Sequence, residues 1–173
     1  MHMADTKALF TQRFDAARTA LAEGDELAAA ESLHSAIVAA RSDPSLRREL
    51  ASALFHLGRL SRKFGRAGEA EAEPLLTEAI AISEELFGRE HAALFPLLNE
   101  LSRLHIQRSQ HARAEDVLER LLAIARGKGE ASERGGDIGI LFALAACDRE
   151  LTFEDVLGAR MLRPLDVEPA QLV

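Results

Sequence analysis

Tryptophan and tyrosine are both missing from this 173-residue chain, which leaves eight phenylalanines as its large aromatic residues. A surface that grips single strands by stacking bases on aromatic rings has little to build from. The one cysteine, Cys147, has no partner for an internal disulfide. No charged-then-apolar leader opens the chain, so a reducing, cytoplasmic setting is expected. No apolar run approaches the roughly 18 residues that a membrane span needs, so no membrane insertion is expected. The net charge of −7 argues against wrapping duplex DNA, and no nucleic-acid partner is expected. Lysine is scarce as well, with 3 against 18 arginines.

What the chain does have is alanine, 31 residues of it, together with abundant Leu, Glu and Arg, and few β-branched residues. These are the strongest helix formers, so the fold class expected is all-α. The Ala and Arg excess is also what GC-rich coding produces, which points to a bacterial source. Met1-His2-Met3 reads as a cloning scar before a native start at Met3, and His2 is left out of every site argument.

Apolar residues recur at steps of three and four in blocks separated by breakers. Leu9, Phe10, Phe14, Ala17 and Leu21 form one stripe, Gly24-Asp25 interrupts it, and Leu27 to Ala40 resumes it. Ser42-Asp43-Pro44-Ser45 stops that pair, and Leu46, Leu50, Leu54 and Leu57 start the next. Its second helix is expected to begin around Gly68 to Ala70, because Pro74 fits only within a first turn, where its missing N–H has no acceptor to serve. A third pair covers about 92–108 and 111–126, closed by Gly127-Lys128-Gly129. Ala30-Glu31, Ala72-Glu73 and Ala114-Glu115 recur at 42-residue steps, and Leu33, Leu75 and Val117, then Val38, Ile80 and Leu122, are expected to keep step as core positions. One amphipathic hairpin cannot bury its own face, so three in tandem imply a stack with a shared core.

Leu57-Gly58, Gly65-Arg66, Ala72-Glu73-Pro74-Leu75-Leu76 and Ala79-Ile80-Ala81-Ile82 resemble a tetratricopeptide repeat (TPR), in the longer-repeat variety found in kinesin light chains and many bacterial proteins. Gly88, His91, Leu98-Asn99 and Leu101 resemble that variety's segment between repeats. The large aromatic positions of the family are filled here by Leu54, Ser61, His105 and Leu118, and Arg18 stands where the first unit should have a small residue. Relative to the family's pattern, two extra residues lie between Arg66 and Ala72. The resemblance implies a right-handed α-α superhelix, a TPR-like solenoid, occupying 4–163 as a single domain. Its units are 9–41, 45–88 and 92–127, with a C-terminal capping helix pair at 134–163 and a tail at 164–173.

Catalytic and metal-binding patterns are sparse. Cys147 falls on the apolar side of Leu144 and Leu151, as a packed thiol does. His105 and His111 straddle a turn, without the i, i+4 spacing that aims two ligands at one metal. Gly127-Lys128-Gly129 and Gly135-Gly136 lack the rest of a phosphate loop and read as linkers. No enzymatic activity, cofactor or metal is expected.

The charge is distributed unevenly. Residues 45–66 carry six cations against Glu49, a balance of +5, whereas 67–90 carry seven glutamates against Arg89, a balance of −6. In the family, the first helix of each pair lines the concave groove. The resemblance therefore implies a basic groove whose partner-binding residues are His56, Arg59, Arg62, Lys63, Asn99, Arg103 and Gln107. The family's chaperone-binding members clamp a terminal carboxylate with a particular set of Lys, Asn and Arg, which is incomplete here, since the first unit offers Asp15 and Thr19. Two accounts of the basic helix stand side by side: arginines that hold a partner by charge-assisted hydrogen bonds, or arginines that pair along the hairpin and with neighbouring units. The function expected is a non-enzymatic adaptor or scaffold that binds an acidic or extended peptide or helix of a partner protein. The alternative is a self-assembling homo-oligomer joined through end faces at Phe10 and Phe14 and at Phe142 and Phe153.

Overall fold

A computed structural model of the chain describes residues 3–127. The expected cap and tail, Cys147, Phe142, Phe153 and Gly135-Gly136 lie outside the described residues. Within them the chain is an all-α, TPR-like helical repeat solenoid of six helices: α1 Met3–Glu23, α2 Glu26–Arg41, α3 Arg47–Ser61, α4 Gly65–Phe87, α5 Phe95–Gln107 and α6 His111–Gly127. They pack as three hairpins, α1 on α2, α3 on α4 and α5 on α6, and the hairpins join where α2 meets α3 and α4 meets α5.

Local chemistry sets each helix start. Gly24 turns the chain at φ +82°, and the Asp25 carboxylate accepts from Ala28 N–H at 3.0 Å, capping α2. The two longer connections each close with a short 3-10 turn, Pro44–Leu46 and Ala92–Leu94. Different groups cap them: buried Asp43 accepts from Ser45 N–H at 2.9 Å, and His91 Nδ1 accepts from Ala93 N–H at 3.1 Å.

The core corrects the repeat register read from the sequence. Ala30 is half-buried and Val38 is 69% exposed, whereas Ala29, Leu33 and Ala36 are at most 1% exposed. The matching buried set in α4 is Ala72, Leu76 and Ala79, and in α6 it is Ala114, Leu118 and Leu121. The second helices are thus offset by 43 residues and then 42, and the Ala30-Glu31 pair is one place out of step. On the 43-residue offset Val38 corresponds to Ala81, which is also exposed, and that accounts for an otherwise stranded valine. The same shift makes Ala17, 1% exposed, the small residue of α1, and places Arg18 on the surface beside it. Leu54, Ser61, His105 and Leu118, which the resemblance aligns with large aromatic positions, are all buried.

The start of α4 is also earlier than expected. Gly65, at φ +70°, turns the chain directly into the helix, so Pro74 sits well inside α4 rather than in its first turn. A Cβ on Gly68 would lie 2.0 Å from the Ser61 carbonyl, so only glycine lets the first turn of α4 pass this close beneath the end of α3. Pro74 costs α4 the bond to the Ala70 carbonyl. Both residues are exposed, so water can satisfy that group.

Phe10 is buried and stacks on half-buried Phe14, with ring centres 5.4 Å apart. Phe14 in turn meets His56 of α3 edge-on at 5.5 Å, which ties the first two hairpins together.

Candidate functional site

Each first helix has its small residue at a matched place: Ala17 in α1, Gly58 in α3 and Ser102 in α5. Gly58 is held to glycine by the hairpin crossing, because a Cβ there would lie 2.9 Å from Leu76 Cγ. The residue after each small one turns away from the crossing, and in all three helices it is arginine: Arg18, Arg59 and Arg103. Arg18 and Arg59 are exposed and Arg103 half-exposed. One turn back stand Phe14, Phe55 and Asn99. The first-helix face therefore carries a row of guanidinium groups beside a row of two rings and an amide.

The acidic second helix is tied up internally. All six glutamates inside α4 have a partner. Glu71 lies 3.2 Å from His34 Nε2, and Glu78 accepts from Arg41 at 2.6 Å, both across to α2. Glu85 takes Arg47 of α3, and Glu84 takes Arg120 of α6 and Arg89. Glu73 holds Arg108 and Arg113, while Glu69 accepts from Gln107 at 2.6 Å and sits 3.9 Å from Arg108 Nε. The charge of α4 is spent on joining its own hairpin to both neighbours. Among the described residues, Arg48, Arg59, Arg66 and Arg103 have no carboxylate within ion-pair distance.

The seven residues named from the sequence divide by environment. Arg59 lies over the Phe55 ring, 5.7 Å from its centre, and is open to solvent. Arg103 is half-exposed beside half-buried Asn99. Arg62 is largely enclosed, its side chain 17% exposed, donating from Nε to Glu100 at 3.3 Å and from Nη1 to Gln107 Oε1 at 3.0 Å. Gln107 reaches on to Glu69, and Lys63 pairs with Glu26 of α2. Arg62, Lys63 and Gln107 thus bind neighbouring helices to one another. His56 is half-buried between the Phe14 and Phe55 rings, and its Nδ1 has no hydrogen-bond partner. Burial, and then the charges of Arg59 and Arg18, push its pKa below the ordinary histidine value of 6.5.

Arg18, Phe14, Phe55 and Arg48 are members of this face that sequence reasoning did not name. The signal was present: Ala17 and Ala29 are 12 residues apart, the same spacing as Ser102 and Ala114. The recurrence of Ala-Glu drew the eye one residue away from it.

Between the start of α4 and the end of α5 a polar cleft of about 490 Å³ opens among Arg66, Glu69, Gln107, Arg108 and Ser109. Its best-placed cation, Arg108, is already held by Glu69 and Glu73. Among the described residues no three His, Cys, Asp or Glu side chains converge to hold a metal, and no helix is long and apolar enough to cross a membrane. Residues 49–127 match the pattern of the tetratricopeptide repeat family. No curated protein matches the chain.

Proposed function

We propose, on the premise that the chain is a tetratricopeptide repeat protein across residues 49–127, that it is a non-enzymatic adaptor whose first-helix face holds an acidic segment of a partner protein. Proteins of this family mediate protein–protein interaction, and that much is common ground. The finer reading rests on one observation. The guanidinium row of Arg18, Arg59 and Arg103 keeps its charge outward, while the glutamates of α4 are all engaged. Arg18 has only a loose pairing with Asp15 at 3.8 Å, both side chains well exposed, which a better-placed partner carboxylate displaces at little cost.

The arginines come one from each first helix, so successive ones suit carboxylates spaced along an extended segment that crosses those helices in turn. The site comprises His56, Arg59, Asn99 and Arg103 as the partner-facing groups. Arg62, Lys63 and Gln107 act behind them by fixing how α3 and α5 sit. Arginine is suited to this role because its planar fork grips a carboxylate in two places.

The test is Arg59→Glu with Arg103→Glu, assayed against acidic peptides selected on the unaltered chain. Arg62→Glu is left out, because it would set a second carboxylate against Glu100. The double reversal is expected to weaken binding at least about a hundredfold, on the scale of two lost charge pairs, and to remove its salt dependence. Unchanged affinity in a variant with unchanged helicity sinks the reading.

A further inference from the structure

A cleft of about 180 Å³ opens between the first half of α3 and the start of α5, floored by the end of α4. Arg48, Ser52 and Phe55 of α3 form one wall, Pro96 and Leu97 of α5 the other, and Phe87 the floor. It is apolar apart from its rim. The reason it exists is a mismatch of helix starts. Counted back from the matched residues Gly58 and Ser102, α3 begins at Arg47 and α5 at Phe95, so α3 has one more turn that α5 leaves uncovered. Phe55 and Phe87, both half-buried, line this gap, and an arginine lies over each: Arg48 is 5.2 Å from the Phe87 centre and Arg59 is 5.7 Å from the Phe55 centre. Neither arginine has a carboxylate partner among the described residues.

We infer that this cleft is the anchor subsite of the groove, receiving one branched aliphatic or aromatic side chain of an acidic partner segment that has a carboxylate on each side of that anchor. The inference rests on the peptide-binding reading above and gives it a specificity. The volume fits such an anchor, since a cavity of about 150 Å³ already takes a benzene ring. Charge complementarity sets the flanks. Arg48 and Arg59 are eleven residues apart on α3, about 16 Å at 1.5 Å per residue, with the cleft between them. An extended segment covers that distance in about five residues. The partner motif is therefore an apolar anchor within a span of about five residues bounded by Asp or Glu. A carboxylate reaching either arginine also meets a guanidinium already held in place by its ring, so little rotamer freedom is lost on binding.

The experiment is selection of a random nine-residue peptide library on the full chain. Enriched peptides are expected to carry the anchor between two acidic residues, and trimming the anchor to Ala should weaken binding about ten- to hundredfold. In Ser52→Phe, whose ring fills the cleft from α3, the anchored and trimmed peptides should bind within about twofold of each other. Phe87→Ala, which deepens the floor, should move the preferred anchor to a larger side chain. Circular dichroism and melting verify that both variants keep their fold.

The anchor subsite is overturned if enriched acidic peptides ignore anchor trimming, or if the anchor preference survives in folded Ser52→Phe. In those cases the groove reading still stands, provided the peptides are lost with Arg59→Glu and Arg103→Glu. If no acidic peptides are enriched, or if binding ignores the charge reversals too, both readings fall together.

Discussion

His56 is a basic group placed where a proton is unwelcome. Two phenylalanine rings enclose it, Nδ1 has no partner, and Arg59 and Arg18 add positive charge nearby. Its folded pKa lies below the 6.5 of the unfolded chain, so below that value the unfolded chain holds more of the proton. The stability it contributes is complete above 6.5 and is lost as pH falls towards the lowered folded value. The melting temperature should fall as pH drops below about 6.5, and His56→Leu should flatten that part of the profile. An equal slope in the variant would assign the dependence to other groups. Legibility at this scale was uneven. Arg59 and Arg103 could be named from the sequence because the family resemblance maps its groove positions onto them. Arg18 was missed because Ala30 looked like the better repeat marker than Ala29. Arg62 could not be recognised as a strut, since its acceptor Glu100 lies on another helix and nothing in the local pattern links the two.

At the scale of the element, composition and punctuation place the helices well, and close packing decides what they miss. Gly24-Asp25, Asp43-Pro44 and Gly88 mark the breaks because each imposes a backbone angle or a cap that is visible in one sequence. The start of α4 was misjudged because the rule for proline considers only the helix itself. Its early start depends on Gly68 passing under Ser61, a contact between two helices. Gly58 plays the same part halfway along the α3/α4 crossing, against Leu76 and Ala72. Gly58→Ala should therefore destabilise the chain by about 1–3 kcal/mol despite alanine's better helix propensity, because Leu76 is fully buried and has little room to move. Thermal or denaturant unfolding measures this. A gain in stability would show that the crossing relaxes more freely than the distances imply.

For the whole molecule, the balance of −7 gives little guide to how the chain meets a partner. Its densest run of acid, in α4, serves as an internal brace, while Arg48 and Arg59 of α3 and Arg103 of α5 have no carboxylate within ion-pair distance among the described residues. The sequence contrast between residues 45–66 and 67–90 was real, yet both accounts of it hold in part: Arg47, Arg62 and Lys63 pair within the stack, and Arg48, Arg59 and Arg66 have no carboxylate within ion-pair distance among the described residues. Sorting them needed the three-dimensional arrangement, because the pairings join residues 37 or 38 apart.

Pro74 has a consequence for motion. With no amide to bond the Ala70 carbonyl, α4 is divided into an early stretch, Gly65 to Glu73, and a late one packed on Leu76, Ala79 and Ile82. The early stretch can open without the late one, so its amides should exchange with solvent faster in native-state hydrogen exchange than those of 77–87. Equal protection on both sides of the proline would refute this. The early stretch carries Glu69, Glu71 and Glu73, which reach the hairpins on either side. A brief local opening there would undo the early stretch's ties to both neighbours at once, while Glu78 and Glu84 of the late stretch keep theirs to Arg41 and Arg120, so the outer hairpins would loosen at one end of α4 and stay pinned at the other.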